Sequence, residues 1–152
     1  MVKSAFFTLG CMVAMWSYVM DSNFAIFYRN IDPALQPYVE GYYNTIKDRC
    51  PQRTKDLSDR YTIEFISRSD EYIGQCRYKI NGYKVLINKE WWDNNNNESQ
   101  KIQLVYHELA HCVIYKAHVT DRIHYMNPEM NNLPHELYMP QVNEDIDSFC
   151  AR

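Results

Sequence analysis

The sequence predicts an α+β domain in which a small mixed or antiparallel sheet packs on an N-terminal helix and on a second helix bearing His-Glu-x-x-His. Three observations carry that expectation. Residues 33–47 place Leu35, Val39, Tyr42 or Tyr43 and Ile46 at helical spacing. Residues 61–88 hold β-prone runs, two of them separated by Asn81-Gly82, the strongest short-range hairpin signal. Residues 97–114 return to helical periodicity, with Ile102, Val105, Leu109 and Val113 on one side.

A chain of 152 residues is the usual size of one domain and can bury a sizeable core. Its 46% apolar and 23% charged content is that of a globular protein. A net charge of -3 without a dense Lys/Arg run argues against nucleic-acid binding. There is no internal repeat and no sign of a second domain.

Taken in order, the chain starts with an unusual stretch. After Lys3, residues 5–20 are mostly apolar and carry no charge until Asp21, which is the pattern of a secretory signal or signal-anchor. The run falls short of the ~20 residues of a usual membrane span, and no convincing small-x-small cleavage site follows it. A buried N-terminal helix is the competing reading. We expect residues 1–22 to be a signal peptide or membrane anchor, 23–31 a connector and 32–152 a single domain outside the cytoplasm. Membrane association would then run through residues 5–20.

Asp32 is a suitable N-cap for the first helix, with Pro33 beside it, and Cys50-Pro51 ends it. The polar run to Asp59 reads as a loop. Strands are expected over 61–67, 74–80 and 83–88. Trp91-Trp92 should close the sheet and pack against it, and residues 94–97 should turn. The second helix begins near Asn97 to Ser99, both good capping types. Beyond Ala117 the chain is polar, and Pro128, Pro134 and Pro140 argue against a long helix, leaving a short terminal one over 140–149.

Outside the apolar segment, which contains Cys11, stand Cys50, Cys76, Cys112 and Cys150. Four thiols allow three pairings, and export would oxidise them. Cys76 with Cys112 and Cys50 with Cys150 is our working choice, which no spacing compels. In a reducing compartment all four would be small buried groups. None forms C-x-x-C, which argues against a zinc knuckle.

The second helix contains the chemistry. Positions four apart share a helix face, so His107 and His111 can present two imidazoles to one ion. Glu108 sits beside that ion without binding it, placed to take a proton from a zinc-activated water. A catalytic zinc has three protein ligands and one open position. His118 is the nearest candidate for the third. On a continuous helix it would lie ~10 Å beyond His111, at about 1.5 Å per residue, so the helix must end and the chain bend back. Asp121 ranks next as a ligand, then Glu129 and Glu136. Further on, Met126 before Asn127-Pro128 fits a methionine turn beneath a histidine site, although such a methionine alone is more often a core filler.

His107-Glu108-Leu109-Ala110-His111-Cys112-Val113 with His118, followed by Tyr125-Met126-Asn127-Pro128, resembles a family of small bacterial and phage zinc metallopeptidases. Members are often exported or lipid-anchored, and they are similar to metzincins in their long-spaced third histidine and Met-turn. The likeness extends upstream through Asp32-Pro33, Leu35, Pro37-Tyr38-Val39, Gly74, Cys76 and Trp91 or Trp92, and it rests on motif order across residues 32–128. Three positions depart from the pattern. Ala110 replaces a glycine between the histidines, His124 stands where the turn has serine, and Ile114 and Tyr115 occupy the place of the helix-ending glycine.

The resemblance implies a metzincin-like zincin fold and a zinc endopeptidase. His107, His111 and His118 would bind one catalytic Zn²⁺ and Glu108 would serve as general base on a peptide or protein substrate. Tyr125 or Tyr138 would donate to the oxyanion. An edge strand, residues 83–88, would take substrate in extended form. The rival reading is a catalytically silent, zinc-stabilised binding protein anchored in the envelope.

Overall fold

The computed structural model describes residues 31–53, 61–67, 72–80, 82–129 and 131–152. The expected signal or anchor, residues 1–22, lies outside them, as does most of the connector. Among the described residues no helix is long and apolar enough to cross a membrane.

Helix α1 (Gln36–Arg49) buries Val39, Tyr42, Tyr43 and Ile46, the stripe its spacing predicts. It starts later than Pro33 because Asp32 makes a turn first. The Asp32 carboxylate accepts from Ala34 N–H (3.0 Å) and its carbonyl from Leu35 N–H (2.9 Å). Pro37 is therefore the proline of the first helical turn. Ile31, expected at the end of the connector, already bridges Ile63 in parallel.

Strands β1 (Tyr61–Ile66), β2 (Gly74–Lys79) and β3 (Gly82–Asn88) form a mixed sheet of order β1-β3-β2. β1 runs parallel to β3, and β2 runs antiparallel to it. β3 is thus central, which corrects the expectation that residues 83–88 form a substrate-binding edge. Its apolar run Val85-Leu86-Ile87 is buried, as suits a strand covered on both faces. Lys79 pairs with Gly82, so Gly82 opens β3 and does not sit in the turn. Its φ of 143° suits a residue without Cβ.

A short helix α2 (Lys89–Asn94), unforeseen in the sequence, is capped by Asn88, whose side chain accepts from Trp91 N–H (3.0 Å). It seats Trp92 edge-on against Tyr38 and Phe65, with centroids 4.9 and 5.5 Å away. Trp92 therefore joins the sheet to α1.

Helix α3 (Glu98–Ile114) begins at Asn97, whose side chain accepts from Gln100 N–H (3.2 Å). Every residue from Gln103 to Ala110 is buried. The single apolar stripe expected of it is too narrow a description. The sheet covers one side, and α1 and helix α4 (His135–Cys150) cover others.

The expected terminal helix over 140–149 is in fact this longer α4, with Pro140 inside it. Pro140 cannot donate to the Glu136 carbonyl, but Glu136 lies in the exposed first turn, where water can replace that bond. Tyr138, Val142 and Ile146 recur every four residues and are fully buried, which holds the helix through the proline.

Two disulfides tie these layers. Cys76–Cys112 joins β2 to α3 with Cα atoms 5.6 Å apart, and Cys50–Cys150 joins the ends of α1 and α4 at 5.7 Å. Arg49 reinforces the second link through Asp147 (Nε to Oδ1 2.7 Å). Removing the Cys50–Cys150 bridge by alanine at both positions should cost about 3–5 kcal/mol, since it closes a long loop. Denaturant unfolding measures this, and equal midpoints for the two proteins would contradict it.

Candidate metal centre

His107, His111 and His118 each bring one ring nitrogen to a common point, all three within 4.8 Å of one another. The Nε2 of His107 lies 3.1 Å from that of His111 and 3.2 Å from that of His118. Two imidazole nitrogens on one tetrahedral zinc at 2.0–2.1 Å would stand roughly 3.3 Å apart, so the spacing fits that ion. Burial decreases across the set, from buried His107 through half-buried His111 to exposed His118, so the group opens towards solvent.

The opposite ring nitrogens define the tautomers. His107 Nδ1–H donates to the Tyr125 carbonyl (2.9 Å) and His111 Nδ1–H to the Lys116 carbonyl (2.6 Å). Each neutral ring then turns an Nε2 lone pair to the common point, the usual arrangement behind metal-binding histidines. Burial depresses the His107 pKa to about 4, only partly opposed by its bond to Tyr125. Burial lowers that of His111 as well. Both rings are therefore neutral near pH 7, as ligands must be.

His118 reaches them because α3 stops without a glycine. Tyr115 takes the left-handed conformation, φ 58° and ψ 35°, and both its N–H and that of Lys116 turn back to the Ala110 carbonyl. That geometry leaves the His111 carbonyl to accept from the Tyr78 hydroxyl (2.7 Å). The ring of Tyr115 is held against the aromatic group of Tyr78 and Tyr83, stacking on Tyr78 with centroids 6.1 Å apart. Val119 N–H bonds to the Met126 carbonyl (3.0 Å), so the returning chain lies against the Met126 turn.

Met126 is fully buried in that turn, which His124 shapes by accepting from Met126 N–H through its Nδ1 (3.0 Å). The turn supplies the Tyr125 carbonyl to His107, so this segment supports a candidate ligand through its backbone.

Glu108 is buried at the floor of a cleft of about 400 Å³ that the three histidines also line. Desolvation raises its pKa to about 8, opposed by a hydrogen bond from the Cys76 backbone N–H. Gly74 stands against it: a Cβ there would fall 2.7 Å from Glu108 Oε1 and 2.8 Å from Leu104 Cδ1. Alternate residues Gly74, Cys76 and Tyr78 of β2 thus all meet α3, at Glu108, Cys112 and His111. The two-residue period of that strand was the available signal for Tyr78, which the sequence reading passed over.

The other candidates lie elsewhere. Asp121 caps a turn by accepting from Ile123 N–H (3.0 Å), and neither it, Glu129 nor Glu136 belongs to the histidine group. Tyr125 and Tyr138 are fully buried and do not line the cleft, so neither hydroxyl faces a substrate there. The Tyr125 hydroxyl donates to Asp145 (2.9 Å), and burial pushes its pKa well up. Burial also raises that of Tyr138, to about 12.

No protein-family model, curated protein or solved structure matches the chain. The centre therefore rests on its own geometry. His118→Ala should weaken zinc binding by more than the roughly 10–100-fold that loss of an outer-sphere partner costs. Asp121→Ala should bind zinc as the wild type does. Metal analysis after dialysis checks both, and zinc loss from the aspartate variant alone would reassign the third ligand.

Proposed function

We propose that this protein is a zinc-dependent endopeptidase of metzincin type, akin to the small bacterial and phage metallopeptidases its motifs resemble. The observation that carries the reading is the meeting of three imidazoles beside the buried carboxylate of Glu108. Nitrogen donors backed by carbonyl-bonded Nδ1 atoms, open on one side, suit Zn²⁺ in a catalytic role. Bound there, the ion supplies a Lewis acid and makes water more acidic.

Glu108 accepts the proton of the attacking water and passes it to the leaving amine nitrogen. Its pKa of about 8 falls towards neutrality when a cation occupies the three imidazoles, since opposite charge offsets desolvation. A carboxyl poised there can both take and give a proton at neutral pH. Gly74 and the Cys76 N–H hold the carboxylate in place.

Among the described residues the outer edge of β2 pairs with no other strand, and β2 forms one wall of the cleft through Gly74, Gln75, Cys76 and Tyr78. That edge suits an extended peptide bound by its main chain. Among the described residues that line the cleft, Glu108 is the one carboxylate and no lysine or arginine stands beside it. The two disulfides support a domain exported or anchored outside the cytoplasm.

Hydrolysis of a broad peptide library tests the reading. Cleavage is expected from wild type and not after chelation, with Glu108→Gln keeping its zinc while losing about 10²–10⁴-fold in rate. Equal signals in all samples overturn the enzyme and leave the silent zinc-stabilised binding protein. Gly74→Ala should also retain zinc and lose roughly 10²-fold in rate, because its Cβ displaces Glu108. Unchanged kcat/KM in that variant would contradict the placement of the base.

A further inference from the structure

Two main-chain carbonyls orient ligand imidazoles, that of Tyr125 for His107 and that of Lys116 for His111. The side chains of the same two residues meet again elsewhere. Lys116 Nζ donates to one oxygen of Asp145 (2.5 Å) and the Tyr125 hydroxyl donates to the other (2.9 Å). Asp145 lies on α4, with its side chain only 8% exposed, and no atom of it lines the cleft. A buried carboxylate needs such partners, and here both oxygens have them.

Lys116 follows the end of α3, while Tyr125 belongs to the Met126 turn. Neither segment is a helix or strand, so no regular hydrogen-bond ladder sets the distance between their carbonyls. Resting on the zinc reading above, we infer that Asp145 is a positioning residue for the metal centre. It clamps Lys116 and Tyr125 so that their carbonyls aim His107 and His111 at one point. Its influence runs along two paths, through Lys116 to His111 and through Tyr125 to His107, each made of two hydrogen bonds. Without the carboxylate, a buried hydroxyl and a half-buried ammonium lose their acceptor, and both segments relax.

The test compares the full-length wild type with Asp145→Asn, Tyr125→Phe, Lys116→Met and Asp147→Asn. Zinc affinity is read by competition with a chromophoric chelator, and ligand geometry by the visible absorption of the Co²⁺-loaded protein. Asp145→Asn should weaken zinc binding about 10–100-fold and alter the cobalt bands. Tyr125→Phe and Lys116→Met keep their carbonyls and should each show part of that effect, adding little to Asp145→Asn. Asp147→Asn, on the same helix but paired with Arg49, should match wild type. A merely structural role would lower the Tm of the metal-free protein while leaving affinity and cobalt bands of the folded protein unchanged, which overturns the inference. If Asp145→Asn does not fold, the two partner variants decide, and wild-type affinity in both overturns it. A wild type that takes up no zinc overturns the metal reading and this inference with it. Zinc binding equal in wild type and Asp145→Asn overturns the role of Asp145 alone.

Discussion

Three imidazoles can share a point only if the helix that carries two of them stops before the third. That constraint governs the chain after Ile114. Tyr115 adopts a backbone conformation costing a non-glycine residue about 1–2 kcal/mol. Its ring contacts with Tyr78 and Tyr83 offset part of the strain. The reversal also delivers the Lys116 carbonyl to His111, so the turn that frees His118 fixes its neighbour.

The centre is held from two sides. β2 grips α3 at the Cys112 disulfide, at the Glu108 carboxylate and at the His111 carbonyl, so the proposed base is fixed from the sheet. The loops after α3 hold His107 and His111 from the other side through carbonyls of Tyr125 and Lys116. α4 backs those loops and is itself fastened to α1 by Cys50–Cys150. Burial of α3 on nearly all sides is the structural result of this double grip.

What could be read from the sequence was mostly local. His107, Glu108 and His111 lie within one helical turn and a fraction, so their relation follows from helix geometry alone. The stripe on α1 and the existence of each strand came from periodicity in the same way. The central place of β3 could not be read, because strand order depends on pairings between distant segments. Its unbroken apolar run was a hint, but buried strands and buried helices share it. The helix through Pro140 was missed because tertiary burial of Tyr138, Val142 and Ile146 outweighs a local penalty. The left-handed Tyr115 was missed because no intrinsic propensity marks a tyrosine for that conformation. Asp145 lies 29 positions from Lys116 and 20 from Tyr125, contacts that no spacing rule anticipates.

The outer edge of β2, which pairs with no other strand among the described residues, brings a consequence of another kind. A strand that offers its backbone to an extended peptide offers the same groups to a second molecule of the protein. Many proteins blunt such edges with bulges, prolines or covering loops. Exposed Arg77 and Lys79 provide a milder defence, since like charges meet when two such edges approach. Neutralising these two cations would therefore shift the balance towards self-association.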